Sequence, residues 1–390
     1  MSKEIQLSFS YPTSVVFKRG AIKELSEYLK QYDFGRSCLL VTGSNFARRT
    51  GYLDLLKNEL KKINCETYVY DRVEPNPSVE TVEAGAMLAR KMNVSFVLAF
   101  GGGSVIDAAK AISLVYASGG KIQNFLGVMN VNVNTVPLVA LPTTAGTGSE
   151  VSKYSVLTDL KQKKKLAIGG PALFPKLSIL DPDTLYTLPP NLVASTGLDA
   201  LSHALESFFS KNSTVFSDML SKESARIILN NLPKAFSGDP EAKAWMMYAS
   251  MLAGLSINIT STNVVHALGY YLTTHYGIPH GLANATFLVS SLEYEAPFMT
   301  ERFAELSEAL GHSSPDNIVK SRLLLKDISL LLDALRIPRN LREIGVKEDE
   351  INTIVEDVTQ NYSRNLSNSP VELNKEKLIE ICKNAYVGRF

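Results

Sequence analysis

Residues 96–110 read FVLAFGGGSVIDAAK: a strand-like apolar run, three glycines and then a helical pattern. This order predicts a buried strand, a tight turn and a helix for which Ser104 is a candidate cap. Glycines let a backbone approach a phosphate closely, and the free N–H groups of a helix N-terminus favour anions. The spaced-glycine dinucleotide fingerprint and the P-loop lysine are both missing from the segment. The turn alone therefore leaves a phosphate site and an ordinary tight turn open as alternatives.

Similar apolar runs flank this segment and alternate with amphipathic stretches. Strands are predicted at residues 37–43, 67–70, 96–100, 137–141 and 176–180, and a helix is predicted at 79–90. Continuous apolar runs of this length are typical of parallel strands that are buried on both faces. We therefore expect a parallel sheet covered by helices, which is an α/β architecture. The basic run at residues 161–165 is expected to be a solvated loop.

The sequence pattern changes near residue 189. From about residue 192 to the end the periodicity is helical, and no convincing strand pattern is found. Clusters of Asn, Ser, Gly and Pro separate the predicted helices from one another. The expected organisation is an α/β domain at residues 1–188 followed by an all-helical domain at residues 189–390.

Composition narrows the class of protein. The chain has 390 residues, and its 40 basic and 39 acidic side chains give a formal net charge of +1. This balance indicates no basic surface for nucleic acid or for an anionic membrane. The first residues show no apolar core like that of a signal peptide, and no apolar run approaches the length of a membrane span. Cys38, Cys65 and Cys382 are odd in number and scattered, which favours reduced thiols. We expect a cytoplasmic protein with no nucleic-acid or membrane partner.

A loop rich in hydroxyl groups follows the predicted strand at residues 137–141. It contains Thr143, Thr144 and Thr147 together with two glycines. Such a loop suits hydrogen bonding to ribose and phosphate, because open α/β sheets bind ligands at the carboxyl ends of their strands. A flexible surface loop is the alternative.

Four candidate metal ligands lie in the second half of the chain: Asp199, His203, His266 and His280. A carboxylate and an imidazole four residues apart on a helix share one face, so Asp199 and His203 can reach one ion. The chain holds only five histidines, and three of them belong to this set. Mixed imidazole and carboxylate ligands suit iron(II), zinc, manganese or cobalt. Chance co-occurrence of these residues is the alternative.

Together these segments resemble the iron-dependent (group III) alcohol dehydrogenase family over nearly the whole chain. The most specific matches lie at residues 101–107, 143–150, 197–203 and 279–281, in the family's order. The resemblance implies an N-terminal Rossmann-like nucleotide-binding domain, a C-terminal helical metal-binding domain and an active site in the cleft between them. It implies a metal-dependent NAD(P)H oxidoreductase that interconverts a short-chain aldehyde and its primary alcohol. The sequence leaves the oligomeric state open, with a homodimer as the expectation.

The same resemblance implies roles for individual residues. The implied metal ligands are the four residues named above, with iron(II) expected and zinc or manganese as alternatives. The implied cofactor residues come from three segments: Gly101, Gly102, Gly103, Ser104, Asp107, Thr143, Thr144, Thr147 and Lys165. Gly102, Gly103 and Ser104 are expected to cradle the pyrophosphate. Lys165, the last residue of the basic run, is expected to lie near the cofactor, which gives that run a second interpretation.

One departure from the family's pattern concerns the proton donor. Many members carry a further histidine four residues after the third ligand, and this chain has Tyr270 there. We consider two roles for Tyr270: a catalytic proton donor, or an apolar wall of the site.

A second departure concerns the choice of cofactor. Gly43 ends the first cofactor strand, where NAD-preferring members often carry an acidic residue that would repel a 2′-phosphate. Asn45, Arg48 and Arg49 follow, and the arginines are candidate partners of that phosphate. The resemblance therefore predicts NADPH over NADH, with Gly43 and Asn45 as cofactor-binding positions.

The substrate is inferred from one further similarity. Residues 263–273 look similar to the branch that includes phosphonoacetaldehyde and sulfoacetaldehyde reductases, whose substrates carry an anionic head. Asn263, His275 and Arg364 are candidate contacts for such a head. The rival hypotheses are a general short-chain alcohol or glycerol-like polyol dehydrogenase, a dehydroquinate synthase-like lyase, and a nucleotide-binding scaffold protein.

Overall fold

The computed structural model describes residues 9–388, which fold as two compact units. Ser10–Leu188 form one unit, and residues 189–388 together with Phe9 form the other. Phe9 belongs with the second unit because its ring stacks on Phe216, with 4.6 Å between the ring centroids. We refer to Ser10–Leu188 as the sheet unit and to residues 189–388 with Phe9 as the helical unit.

The sheet unit contains one six-stranded parallel sheet and one two-stranded antiparallel ribbon. The strands are β1 (Ser14–Phe17), β2 (Ser37–Gly43), β3 (Glu66–Val73), β4 (Phe96–Gly101), β5 (Leu138–Pro142), β6 (Tyr154–Asp159), β7 (Lys164–Gly169) and β8 (Leu177–Leu180). The sheet has the order β1-β8-β5-β4-β2-β3, and β6 pairs with β7. The helices of this unit are α1 (Leu25–Leu29), α2 (Phe46–Arg49), α3 (Tyr52–Lys62), α4 (Val79–Met92) and α5 (Gly103–Ser118).

Both faces of the parallel sheet are buried, which explains the continuous apolar runs in the sequence. Alternate side chains of β2 and β4 point to opposite faces, so Leu39 packs in one core cluster and Leu40 in the other. The helices α4 and α5 cover the face that carries Leu39, and α1 and α3 cover the face that carries Leu40. The prediction of an α/β domain with a parallel sheet is confirmed.

The register of the sheet places three segments with predicted cofactor residues at one edge. Thr42 is opposite Phe100, and Gly101 is opposite Pro142, so β2, β4 and β5 end side by side. These are carboxyl ends of parallel strands, where open α/β sheets bind ligands. Gly43, the glycines after β4 and the threonines after β5 therefore share this edge.

Two features of the sheet unit differ from the sequence prediction. The short strand β1 and the ribbon of β6 and β7 were not predicted, because β1 is a partly exposed edge strand and the ribbon mixes polar and apolar side chains. The solvated-loop prediction holds for residues 161–163, which form the turn between β6 and β7. It is wrong for Lys164 and Lys165, which lie in β7, and the Lys165 side chain is buried.

The helical unit contains ten α-helices. They are α6 (Pro190–Phe209), α7 (Val215–Phe236), α8 (Pro240–Thr260), α9 (Val264–His275), α10 (His280–Glu295), α11 (Thr300–Ala309), α12 (Asn317–Ala334), α13 (Ile351–Asn361), α14 (Ser363–Asn368) and α15 (Lys375–Val387). Residues 189–388 contain no strand, as the sequence predicted. Among the described residues, none of the helices combines the length and the apolar character needed to cross a bilayer.

Candidate active site

Three of the four predicted metal ligands come together in the helical unit. Asp199 from α6, His266 from the first turn of α9 and His280 at the start of α10 place one donor atom each within 4.8 Å of one another. The Asp199 Oδ1 atom lies 3.6 Å from His266 Nε2 and 3.8 Å from His280 Nε2. We call these three residues the carboxylate–imidazole cluster.

His203, the fourth predicted ligand, lies beside this cluster but is not part of the three-residue group. It shares a face of α6 with Asp199, as the spacing of four residues predicts. Its imidazole stacks on that of His266, with 4.6 Å between the ring centroids. His203 thus remains a predicted ligand whose ring is adjacent to the group.

Two glycines allow the three helices to approach one another closely. A Cβ atom on Gly281 would lie 1.8 Å from the backbone oxygen of Ser195 on α6. A Cβ atom on Gly269 would lie 2.0 Å from the side-chain oxygen of Asn284 on α10. Any side chain at either position would push α10 away from its neighbours. These contacts explain why a glycine follows His280, the third residue of the cluster.

Glu206, which the sequence analysis missed, holds His266 in place. Its Oε2 atom makes a short hydrogen bond with His266 Nδ1, and its Oε1 atom accepts from the backbone N–H groups of Asn263, Val265 and His266. The carboxylate thereby caps the N-terminus of α9 from a neighbouring helix. A sequence signal did exist: Glu206 comes three residues after His203, on the same face of α6.

Asn284 and Thr273 hold other atoms of the cluster. Asn284 Nδ2 donates to Asp199 Oδ1 at 3.1 Å, and Thr273 Oγ1 lies 3.4 Å from His280 Nδ1. Neither residue was identified from the sequence. Thr273 thus meets the nitrogen of His280 that does not face Asp199, whereas Asn284 binds the same Asp199 oxygen that faces the two imidazoles. Polar partners of this kind orient donor groups and are typical of metal sites in proteins.

The cluster keeps its carboxylate charged in a buried setting. Burial raises the pKa of the Asp199 carboxyl, but the imidazoles of His203, His266 and His280 outweigh it and hold that pKa well below its usual range. Burial also lowers the pKa of His266, yet the carboxylates of Glu206 and Asp199 raise it to about 9. The site therefore stabilises positive charge next to Asp199, which is the electrostatic environment a divalent cation requires.

A buried nitrogen atom supplies a direct test of whether a metal fits. His266 Nε2 is fully enclosed and makes no hydrogen bond, although a buried polar atom without a partner is costly. It faces a carboxylate oxygen and a second imidazole, and oxygen and nitrogen are the donors that iron(II) or zinc takes. The arrangement of donor atoms fits a divalent metal.

Tyr270 lies directly against the cluster. Its ring is parallel to that of His280, with 5.2 Å between centroids and an interplanar angle of 5°, and it also meets the ring of Tyr362 at 4.9 Å. The side chain is 9% exposed. This face-to-face packing is the geometry of a wall that positions His280, and the proton-donor role of Tyr270 stays a prediction.

Two of the three residues predicted to contact an anionic head of the substrate make other contacts in the structure. Asn263 is buried, and its backbone and side-chain N–H groups donate to Glu206. His275 is nine residues after His266 on α9, which places it on the opposite side of that helix, with its ring stacked on Tyr271. Arg364 lies on α14 and is exposed. Two of the three candidates are therefore occupied with other contacts.

The predicted cofactor turn and the threonine loop are in contact within the sheet unit. A Cβ atom on Gly103 would lie 2.4 Å from the Thr147 side chain, and one on Gly102 would lie 3.0 Å from that of Thr144. The Thr143 N–H donates to the Gly101 carbonyl oxygen at 3.0 Å. No side chain caps α5 at Gly102, so the backbone at the helix start is available to an anion. We call residues 101–104 the glycine turn.

Ser104 does not cap the helix as predicted, because α5 begins one residue before it, at Gly103. Its hydroxyl instead accepts from the backbone N–H of Asn76 at 3.2 Å. Asp107 lies one turn further along α5, where it accepts from the Ser149 hydroxyl and from the Val156 N–H at 2.9 Å. Asp107 thus connects the glycine turn to the segment that follows the threonine loop.

Buried charges lie beneath the glycine turn. Lys110 Nζ donates to the carbonyl oxygens of Ser152 and Tyr154, each at 2.7 Å. Burial lowers the pKa of Lys110 to about 8, although Asp107 and Glu150 act to raise it. Burial raises the pKa of Glu150 to about 7. Neither Lys110 nor Glu150 was recognisable from the sequence as a site residue.

The remaining cofactor candidates are placed as follows. Gly43 ends β2, and Asn45 is exposed and precedes α2. The Arg48 guanidinium is paired with the Asp71 carboxylate through Nε at 3.0 Å and through a second nitrogen. Lys165 lies in β7, and its charge lowers the pKa of Asp107 against the larger, opposite effect of burial. Arg48 would have to leave or share Asp71 to bind a 2′-phosphate.

Comparison with known proteins identifies relatives of both units. Residues 12–182 match the model of the iron-containing alcohol dehydrogenases, and residues 193–386 match the C-terminal model of the Fe-containing alcohol dehydrogenase family. Alcohol dehydrogenase 4 of Saccharomyces cerevisiae is 34% identical over 382 residues, which cover 97% of this chain and 98% of that protein. The NADPH-dependent butanol dehydrogenase of Clostridium saccharobutylicum is 31% identical over 388 residues, which cover 98% of each chain.

A solved structure is similar over the same length. The sulfoacetaldehyde reductase of Bifidobacterium kashiwanohense, determined in complex with NAD+, superimposes with a TM-score of 0.89. It is 29% identical in sequence, and the match covers 97% of this chain and 98% of that one.

Proposed function

This chain belongs to the iron-containing alcohol dehydrogenase family, and on that premise we propose which of its residues perform the family's chemistry and on which substrate. The enzyme is an NAD(P)-dependent, metal-dependent oxidoreductase that interconverts an aldehyde and its primary alcohol. Our proposal is that the sheet unit binds the nucleotide and the helical unit binds the metal. The proposed metal ligands are Asp199, His203, His266 and His280.

The single observation that supports this assignment is the enclosed Nε2 atom of His266. It makes no hydrogen bond, lies 3.6 Å from the Asp199 carboxylate and belongs to the only group of three metal-ligating side chains found among residues 9–388. A protein that used this pocket only for packing would pair or expose such an atom.

The chemistry of the site follows from these side chains. When bound, a divalent metal supplies a Lewis acid for the carbonyl oxygen, and the nicotinamide supplies the hydride. Burial of Asp199 and His266 keeps water from the donor atoms. Tyr270 packs against His280 and limits the movement of that imidazole. Tyr270 also remains our candidate proton donor, because it occupies the sequence position where many family members carry the relay histidine.

For the cofactor, we propose a preference for NADPH. Gly43 provides no carboxylate at the end of β2 to repel a 2′-phosphate, and the exposed Arg49 is a candidate cationic partner. The pairing of Arg48 with Asp71 weakens the support from Arg48. The ratio of kcat/KM for NADPH and NADH tests the proposal, and a clear preference for NADH overturns it.

For the substrate, we propose a short-chain aldehyde, with an anionic aldehyde as a second candidate. The similarity to a sulfoacetaldehyde reductase favours the second candidate, whereas the contacts of Asn263 and His275 do not support it. Arg364 is then the remaining cationic candidate for the anionic head. Activity on sulfoacetaldehyde or phosphonoacetaldehyde no better than on butanal would remove the anionic hypothesis.

One experiment tests the proposal as a whole. The protein is purified anaerobically, its metal content is measured, and NADPH consumption is followed with butanal, glyceraldehyde and anionic short aldehydes. We expect one divalent metal per chain, iron(II) first and zinc or manganese as alternatives, together with metal-dependent aldehyde reduction. Metal-free protein with full activity would refute the role of the cluster. A strong preference for polyols would favour the glycerol-like rival.

Two further aspects remain proposals: a homodimer and a cytoplasmic location. The three cysteines are free and buried, which is compatible with a reducing compartment. Burial raises the pKa of the Cys65 thiol to about 11, so this thiol is unreactive at neutral pH.

A further inference from the structure

Glu206 makes more contacts with α9 than helix capping requires. Its Oε1 atom accepts from the N–H groups of Asn263 at 2.9 Å, Val265 at 2.8 Å and His266 at 3.3 Å. Its backbone carbonyl accepts from Asn263 Nδ2 at 2.8 Å. Its Oε2 atom is left for the ring nitrogen Nδ1 of His266. The residue is 3% exposed, so water does not compete for these contacts.

The two carboxylate oxygens of Glu206 bind different groups, and together they determine which nitrogen of the His266 ring carries the proton. A carboxylate oxygen only accepts hydrogen bonds, so the ring nitrogen facing it must carry the proton. The other nitrogen, Nε2, is then free of a proton when the ring is neutral, and Nε2 is the atom that faces Asp199. A metal ligand must present such an unprotonated nitrogen.

We infer that Glu206 is a positioning residue that selects the tautomer of His266 in which Nε2 can bind the metal. The inference rests on the proposed function, since it assumes that His266 is a ligand. Glu206 lies on α6 and acts on a residue of α9. Its one carboxylate both caps the start of α9 and orients the His266 ring.

The isosteric variant Glu206→Gln separates this role from capping. Its amide oxygen keeps the position of Oε1, because three N–H donors require an acceptor there. The amide NH2 group is then forced to face His266 Nδ1, and it donates instead of accepting. The neutral ring must respond by placing its proton on Nε2. The variant therefore retains the shape and the cap but blocks the ligating nitrogen.

The test compares metal affinity in matched variants of the full chain. Zinc affinity is measured by competition with a chelator for the wild type, Glu206→Gln, Glu206→Asp and the control Glu223→Gln, which alters an exposed ion pair on α7. We expect Glu206→Gln to bind zinc roughly 10- to 100-fold more weakly. Glu206→Asp keeps an acceptor and should recover part of the affinity, and the control should match the wild type. Thermal unfolding of the metal-free proteins reports on capping separately.

The outcomes distinguish the inference from the proposed function. Wild-type protein that binds no zinc overturns the proposed function and, with it, the inference. Wild-type binding together with unchanged affinity in Glu206→Gln overturns the inference alone. If Glu206→Gln does not fold, nitrogen-15 NMR of the zinc-loaded wild type decides, because only five histidines contribute signals. A protonated Nδ1 on His266 with zinc on Nε2 supports the inference, and zinc on Nδ1 contradicts it.

Discussion

The glycine turn of the sheet unit and the carboxylate–imidazole cluster of the helical unit differ in the atoms that form them, backbone in the first and side chains in the second. The turn is made of backbone: a Cβ atom at Gly102 or Gly103 would enter the space of Thr144 or Thr147. The cluster is made of side chains whose charges and ring orientations are held by further side chains such as Glu206. A site of the first kind is damaged by adding atoms, and one of the second kind by removing or reversing a polar group.

The largest expected effect comes from removing a proposed metal ligand of the cluster. His266→Ala should lower kcat/KM for aldehyde reduction by roughly a thousandfold or more, because the Lewis acid loses a ligand where charge develops. Cofactor affinity, measured by NADPH fluorescence titration, should stay unchanged, since the glycine turn is untouched.

The matched control for that variant is His312→Ala. His312 lies between α11 and α12 and pairs with Asp327 of α12 at 2.7 Å, and neither helix carries a residue of the cluster. Its activity should be close to that of the wild type. Full activity in His266→Ala would show that the cluster is not the catalytic metal site.

The next largest effect is expected at Gly281, which follows His280 of the cluster. This change tests whether the cluster, like the glycine turn, also depends on close backbone packing. Gly281→Ala places a Cβ atom 1.8 Å from the Ser195 carbonyl oxygen, which is backbone and cannot rotate away. We expect a loss of about 3 kcal/mol in the free energy of unfolding, together with weaker metal binding, because α10 carries His280 away from Asp199. Denaturant unfolding and zinc titration measure the two effects.

The control for Gly281→Ala is Gly277→Ala, where φ is +66° and no atom lies within 4 Å of the added Cβ. That change should cost about 1 kcal/mol through backbone strain alone and leave zinc affinity intact. Equal effects at the two glycines would mean that the close approach of α10 to α6 does not set the geometry of the cluster.

Gly103→Ala is the corresponding change in the glycine turn. The new Cβ atom would lie 2.4 Å from the Thr147 side chain, so the threonine loop must shift away from α5. We expect KM for NADPH to rise roughly tenfold to hundredfold, with zinc affinity unchanged. Gly102→Ala, where the nearest contact is 3.0 Å, should have a smaller effect. A fall in zinc affinity without a change in KM would reverse the assignment of the two sites.

The same contrast explains what the sequence revealed and what it concealed. The strands β2, β4, β5 and β8 lie within one residue of their predicted limits at each end, because burial on both faces leaves a continuous apolar run. The glycine turn was visible for a similar reason, since the chain can use few residues other than glycine there. Local constraints of this kind are readable from sequence.

Long-range polar contacts are not readable in the same way. Glu206 meets His266 sixty residues later in the chain, and a glutamate within a helix is most often an exposed residue. Asn284 and Thr273 support Asp199 and His280 through tertiary contacts that no local spacing encodes. The edge strand β1 was missed because its exposed side chains leave a weak pattern. The predicted ligand set thus identified the cluster but not the residues that orient it.

The smallest expected effect concerns Glu150 and tests whether the glycine turn depends on its backbone alone. Burial raises the pKa of Glu150 to about 7 from an ordinary value of 4.5. Between these two pH values the folded chain holds a proton on Glu150 that the unfolded chain has released. This group therefore makes the free energy of unfolding fall as pH rises from about 4.5 to 7, by on the order of 1–3 kcal/mol.

Glu150→Gln lacks the titration, so its stability relative to the wild type should increase across this window. Urea unfolding at several pH values measures the difference, with Glu80→Gln on the exposed face of α4 as the control. A difference between Glu150→Gln and the wild type that does not vary with pH would mean that Glu150 is charged throughout, held by Lys110, and that buried charge supports the glycine turn as it supports the cluster.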